Sequence, residues 1–358
     1  MTARERQILG WIEEDPLISQ EALAEKAGIT RSSVGVHVSN LMKKGYLAGR
    51  GYVLGRRCDV TVVGGCNVDV GGVSAEALIE RDSNPGTVSV TPGGVGRNIA
   101  HNLSLLDVRV RLLTAFGDDV FAGRIEESCK KHGVDVSAAL KVPGERTGVY
   151  LYIAGRDGDM ALAVADMDIF RHITPAFLQE KLPADPGVVV ADTNIPEETL
   201  RYLSSLPDVP LFVDPVSVTK AAKLKDCLPG IHTLKPNLTE AQALSGVAIR
   251  TDADVEKAAA VLRQKGVRRV FISLGKRGVY ADDGETKGFF PPVRADAVNT
   301  TGAGDAFMAG LVAAFLDNRD LPSTVRFASA AAAVAVESPD TIAADMSREA
   351  VENKLRSL

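Results

Sequence analysis

Along residues 1–45 apolar side chains recur every three or four positions, the period of an amphipathic helix. Thr2 and Glu5 stand at capping-box spacing ahead of Ile8, Leu9 and Ile12. Asp15-Pro16 stops that helix, and Ser19 caps a second one carrying Ala22, Leu23 and Ala27. Gly28 stands where a C-terminal glycine is expected. Thr30 caps a third helix whose buried stripe is Val34, Val38 and Leu41, and Gly45 ends it. Tyr46-Leu47-Ala48 and Tyr52-Val53-Leu54 then flank Gly49-Arg50-Gly51, a hairpin signal. A supporting helix, two helices around a glycine turn and a hairpin make a winged helix-turn-helix plan over residues 1–56. The third helix turns Arg31, Ser32, Ser33, His37 and Asn40 away from its stripe. Small, polar and basic groups suit a major groove, with Lys43, Lys44 and Arg50 nearer phosphates. The alternative is a three-helix interaction module with a solvated polar face.

From residue 57 to 358 the pattern changes to alternation of strand and helix. Cys58–Gly65 is an apolar run ending in glycines, and strand-like runs follow at 110–116, 188–192, 211–214 and 269–274. Helical runs lie at 95–106, 122–132, 197–203 and 254–265, and 328–335 is an alanine-rich helix. This alternation predicts an α/β domain with a mainly parallel sheet and helices on both faces. Runs 147–154 and 160–166 around Gly155-Arg156-Asp157-Gly158 read as a hairpin, with 87–91 as a third strand of a small antiparallel sheet over one edge.

Composition narrows the class. The chain has 358 residues, 45% of them hydrophobic and 24% charged, the profile of a soluble globular protein. The apolar stretch Ala306–Leu316 is too short to span a bilayer, and no export signal is visible, which points to the cytoplasm and to no membrane partner. Cys58, Cys66, Cys129 and Cys227 form no CxxC pair and read as reduced, structural thiols. The net charge of −5 conceals an asymmetry: residues 1–57 hold nine Lys/Arg against six Asp/Glu, and the remainder 32 against 40. The basic segment suits DNA, but so small an excess implies two copies acting together in a homodimer.

Four constellations carry candidate chemistry. Asn299-Thr300-Thr301-Gly302-Ala303-Gly304-Asp305 precedes an apolar helix. Glycines at a helix start let backbone N–H groups face an anion, and Asp305 beside that anion would accept a proton; the plainer alternative is a helix-start residue. Asn67, Asp69, Gly93, Gly94 and Asn98 offer short hydrogen-bonding groups and close backbone approach for sugar hydroxyls, or simply loop caps. Lys235, Asn237 and Glu240 in one turn can serve phosphates and hydrated Mg²⁺, or form an ordinary N-cap. Ser273-Leu274-Gly275-Lys276-Arg277-Gly278 lacks the P-loop spacing, and Gly93-Gly94-Val95-Gly96 lacks the dinucleotide spacing, which excludes hydride chemistry.

Together, over about residues 58–358, these motifs resemble the ribokinase, or PfkB-type, carbohydrate kinases. The resemblance implies a three-layer α/β sandwich with a small β lid, ATP as phosphoryl donor and Mg²⁺ as helper. It implies Asp305 as catalytic base, the 302–305 backbone (Gly302, Ala303, Gly304) as anion hole, and Asn67, Asp69, Gly93, Gly94 and Asn98 at the acceptor. Asn237 and Glu240 would organise the metal, with Lys235, Ser273, Gly275, Gly278 and Thr301 along the nucleotide. The runs 82–86, 91–100, 165–169, 213–217 and 232–237 are most similar to the pseudouridine kinases of that family, some of which carry an N-terminal helix-turn-helix. These phosphorylate the 5′-hydroxyl of the C-nucleoside, and Thr147, Asp166 and Asn194 are the candidates to touch its base. Ribokinases often have Asp in a monovalent-cation site where this chain has Asn299, which puts K⁺ activation in doubt. The rival readings are a kinase for another nucleoside or sugar, and a transcriptional regulator with a kinase-like ligand sensor.

Overall fold

A computed structural model describes residues 1–47, 58–157 and 159–356. Most of the expected hairpin, with Arg50, and the pair Arg56-Arg57 lie outside the described residues, as does Gly158. The chain forms two compact units: Met1–Asp59 with Leu182–Pro186, and Val60–Lys181 with Gly187–Leu358.

The first unit is built on helices Ala3–Glu14, Gln20–Ala27 and Arg31–Lys43. Their starts follow from capping chemistry. Thr2 and Glu5 satisfy each other's backbone donors, and the Ser19 and Thr30 hydroxyls accept from the Ala22 and Ser33 amides. Gly28 ends the second helix at φ 64°, a left-handed position that costs glycine nothing. Ile8, Ile12, Leu23, Val34 and Leu41 have no exposed surface and form this unit's own core.

The second unit holds an eight-stranded sheet in the order 287–290, 279–282, 269–273, 233–234, 211–214, 188–192, 60–63, 110–113. The last six strands of that order run parallel, and the two at the other edge are antiparallel. Alternate side chains face opposite layers. Val62, Val190, Phe212 and Phe271 share one buried cluster with helices Val95–Leu105, Ala303–Leu316 and Leu321–Val336. Between them along the strands, Val63, Ala191, Val213 and Ile272 are equally buried, and helix Asp252–Gln264 packs on that side. The expected sandwich is therefore present. Its parallel strands bring Asp192, Asp214, Lys235 and Ser273 to one edge, at the carboxyl ends where such sheets bind ligands.

Three details depart from the pattern-based reading. The run at 110–116 breaks at Thr114, and Ala115–Phe116 leaves the main sheet to pair with Leu140–Lys141. The small sheet is mixed, because Asn67–Ser74 pairs parallel to Val149–Ala154 as well as antiparallel to Gly86–Gly93. A long helical excursion joins the two parallel strands, as parallel pairing requires. Asn67-Val68-Asp69, read as following the first strand with loop caps as the plainer alternative, opens a strand of that sheet, Asn67–Ser74.

Register divides the small sheet into two faces. Gly72, Val88, Ile153 and Leu162 lie in one row, and Val70, Val90, Leu151 and Val164 in the next. Val88, Leu162 and Val164 remain 74%, 62% and 57% exposed, so this face is aliphatic and open. The opposite face carries Asp69, Thr91 and Tyr150.

Helices Ala303–Leu316 and Leu321–Val336 touch where both are small. A Cβ on Gly310 would stand 2.6 Å from the Ala328 Cα, closer than real contacts allow. Gly310→Val is expected to destabilise the second unit by about 1–3 kcal/mol, read by urea denaturation, despite valine's better shielding of the helix backbone.

Candidate active site

Asp305 lies in the first turn of helix Ala303–Leu316, whose N-cap is Gly302 at φ 82°. A side chain there would strike the Thr341 carbonyl oxygen at 2.2 Å, so the turn requires glycine on two counts. No side chain caps this helix. Its first amides therefore have no intrahelical partner and, with the helix dipole, form a site for an anion. Asp305 is 9% exposed, and its Oδ2 accepts from Asn98 Nδ2 at 3.0 Å. Burial pushes its carboxyl up from 3.8 to about 7, with the Asp214 charge adding to the effect. The Asn98 hydrogen bond and the Lys235 ammonium oppose the rise.

Lys235, directly after strand Thr233–Leu234, is held by Asp214 at 3.0 Å. Burial alone would depress its ammonium; the Asp214 carboxylate and hydrogen bond, with Asp305 and Glu240, hold it above the ordinary lysine range. Its Nζ stands 3.2 Å from where a Gly304 Cβ would be, so Gly304 leaves the helix start open to the ammonium. Asn237 and Glu240 form a complete capping box: Asn237 N donates to Glu240 Oε2 and Glu240 N to Asn237 Oδ1, both at 2.9 Å. Burial also raises the Glu240 carboxyl. Ser273 N donates to the Pro236 carbonyl, and Leu274 N to that of Gly278, which brings the 273–278 turn beside this cap. Gly278 has φ 91°, and a side chain would strike the Phe290 carbonyl. Thr301 is exposed, its amide donating to Asn299 Oδ1 while Asn299 Nδ2 donates to the Pro339 carbonyl. Asn299 thus ties two loops together.

The acceptor-side candidates also meet. Asn67 Nδ2 donates to Asp69 Oδ1 at 2.7 Å, and Asp69 faces Gly93 so closely that a Cβ there would overlap its carboxylate. Burial raises Asp69, against the Asn67 hydrogen bond. Gly94, at φ 99°, passes over Gly65 and Cys66. Asn194 lies against Gly65, and its Oδ1 accepts from Lys220 Nζ at 2.5 Å.

Other expected residues are used differently. Thr147 is 1% exposed, and its hydroxyl donates to Asp119 and accepts from the Gly117 amide, so it joins two loops. Asp166 is exposed and shares the aliphatic face of the small sheet, opposite Asp69. In the first unit Lys44 is spent on Glu5 at 2.8 Å and Arg31 on Glu21 at 3.0 Å. His37 is half-buried, with its Nδ1 enclosed and without a hydrogen-bond partner. Ser32 and Lys43 are exposed, and Ser33 is half-buried against Thr30.

Three groups escaped the motif reading. Asp192 and Asp214 end the apolar runs Val188–Asp192 and Leu211–Asp214; a carboxylate closing a buried strand was the available signal. Arg97 is 5% exposed and donates to the Pro92 carbonyl, Asn98 Oδ1 and Ser128 Oγ. With its oxygen held by Arg97, Asn98 turns its amide nitrogen toward Asp305. Nothing in the sequence marked Arg97 as buried.

The site's chemistry is that of group transfer to a hydroxyl: an anion hole, a buried cation and a carboxylate poised near neutrality. Among the described residues no cluster of three His, Cys, Asp or Glu forms a metal cage. Glu240, with one oxygen given to its cap, still fits a Mg²⁺ that travels on phosphates and keeps its waters.

Comparison with known proteins agrees. The profile of the pfkB family carbohydrate kinases matches residues 58–348, and that of winged helix-turn-helix DNA-binding domains matches residues 1–48. The sugar kinase YeiI of Escherichia coli strain K12, described as uncharacterized, is 40% identical over 338 residues, 93% of each chain. The pseudouridine kinase of the same strain is 43% identical over 293 residues, 80% of this chain and 93% of its own. A carbohydrate kinase structure from Agrobacterium tumefaciens superposes with a TM-score of 0.72 at 32% identity, covering 83% of this chain and 96% of that one.

Because Asp305 holds its proton more tightly folded than unfolded, stability is lost as pH rises from 3.8 to about 7. Asp305→Asn is expected to exceed the parent in stability at about pH 8, by up to about 4 kcal/mol, with the gain fading to nothing by about pH 4. Thermal melts across that range test this.

Proposed function

This chain belongs to the pfkB family of carbohydrate kinases, and from that premise we propose that it transfers the γ-phosphoryl group of ATP to the 5′-hydroxyl of pseudouridine, giving pseudouridine 5′-phosphate and ADP. The observation that carries the transfer is Asp305. It is buried in the first turn of an uncapped helix, oriented by Asn98 and flanked by Lys235. It accepts the hydroxyl proton as that oxygen attacks phosphorus. The amides of residues 302–305 and the Lys235 ammonium face the charge that develops on the transferring group. Mg²⁺ supplies further neutralisation of the phosphates, and Glu240 and Asn237 are the residues that would hold it. Asn67, Asp69, Asn98 and the Gly93–Gly94 backbone hold the ribose, and Asn194 reaches toward the base. The nucleotide lies along Lys235, Asn237 and the 273–278 turn. The choice of pseudouridine rests on the resemblance of motifs and on the 43% identity to the kinase that bears that name.

A second reading, a kinase for another nucleoside or sugar, is favoured by the YeiI match, which spans 93% of both chains. An ATP-consumption assay over pseudouridine, uridine, cytidine and ribose separates the two; turnover of ribose but not pseudouridine would overturn the first. Residues 1–56 are proposed to bind DNA and regulate. The open aliphatic face of the small sheet supports a homodimer, which would present two such modules to a two-fold operator.

Asp305→Asn is expected to lower kcat by about 10²–10⁴-fold while acceptor binding survives. In the parent, kcat/KM is expected to fall below about pH 7 as Asp305 takes up its proton. A chain lacking residues 1–56 is expected to keep kinase turnover and lose salt-sensitive binding in a DNA-shift assay. Absence of any sequence preference in the full chain would refute the regulatory role.

A further inference from the structure

Asp192 ends the strand Val188–Asp192 with no exposed surface and belongs to none of the motifs above. Its Oδ2 accepts from Gly65 N and from Gly96 N, both at 2.8 Å. Its Oδ1 accepts from Asn194 N at 2.8 Å. Gly65 leads into Asn67 and Asp69, Gly96 lies in the first turn of the helix that carries Asn98, and Asn194 is the acceptor-side candidate on the third stretch. One carboxylate therefore fastens three separate stretches of chain that converge on the acceptor. The surroundings are shaped for it. A Cβ on Gly64 would stand 2.5 Å from Asp192 Oδ2, and one on Gly96 would stand 3.1 Å from it and 2.9 Å from the Gly64 Cα. The Arg97 amide adds a bond to the Gly65 carbonyl at 3.1 Å, so the two backbones are joined on either side of the carboxylate. The nucleotide-side amides of Asn237, Glu240 and Ser273 donate elsewhere, to Glu240 Oε2, Asn237 Oδ1 and the Pro236 carbonyl.

We propose that Asp192 is a positioning residue for the acceptor alone: it sets the spacing of Asn67–Asp69, Asn98 and Asn194, and does not act on the nucleotide. This rests on the kinase reading, though not on which alcohol is the acceptor. A carboxylate is required because all three partners are N–H donors. An amide in its place offers one accepting oxygen and turns an NH₂ group toward donors on the other side. The loops must then separate, and small misplacements of positioning groups are costly.

The test is steady-state kinetics of the full-length chain with pseudouridine, or with whichever member of the panel above the parent turns over. Asp192→Asn is expected to raise acceptor KM by about 10–100-fold and leave the KM for ATP within about twofold. Gly96→Ala presses the same junction without removing charge, and it serves if Asp192→Asn does not fold. It is expected to shift the same constant in the same direction. Because both changes act on one junction, the double variant is expected to fall short of the product of the single effects. An unchanged acceptor KM, a rise in both Michaelis constants together, or independent effects in the double variant would each overturn the role. Failure of the parent to turn over any member of the panel would count against the kinase reading instead, which keeps the two apart.

Discussion

Lys235 carries its ammonium to Asp214 at the tip of the neighbouring strand and to Asp305 at a helix start, and Asp192, at the tip of the next strand, adds its charge to theirs. Like charges taken out of water at such separations do not all stay ionised without compensation. The salt bridge at 3.0 Å from Lys235 to Asp214 supplies part of it, the Asn98 amide eases Asp305 and the backbone donors of Gly65, Gly96 and Asn194 ease Asp192, yet burial still raises both carboxyls. Much of the domain's architecture serves this arrangement. The parallel sheet delivers the groups to one edge, and the buried layers on both faces keep water from screening them.

The glycines are the second half of the same constraint. Gly64, Gly93, Gly94, Gly96 and Gly302 each stand where a Cβ would come within 3 Å of a carboxylate or of another backbone. Glycine therefore lets loops from distant parts of the chain meet around charged groups at hydrogen-bond distance. The charges in turn hold the loops, so packing and electrostatics at this edge are not separable contributions.

The two units handle charge in different ways. In the first, one cation read as facing phosphates, Lys44, and one read as facing the groove, Arg31, are paired with Glu5 and Glu21 before any partner arrives. A polyanion would have to compete with these pairs, which weakens a footprint already small in net charge. In the second, acidic residues outnumber basic ones, yet the cation Lys235 is buried beside the uncapped start of the helix that carries Asp305.

Much of this was legible in one dimension. Apolar spacing and capping residues located the three N-terminal helices and most strands of the sheet, since those signals are local: Thr2–Glu5, Ser19 and Thr30 cap as read, and Val188–Asp192 and Leu211–Asp214 have the read boundaries. The motif residues Asp305, Asn98, Lys235 and Asn67–Asp69 do gather at one edge, because each sits at the start or end of an element that pattern identifies. What only the tertiary structure decided is which neighbour each polar group meets. Thr147 turned out to be held by Asp119, Asp166 to lie on the outer face, and Lys44 to be taken by Glu5. Asp192 and Arg97 became central through partners up to 127 residues away. Hydrogen bonding between such distant residues leaves no periodicity in sequence; it exists only once the backbones have crossed.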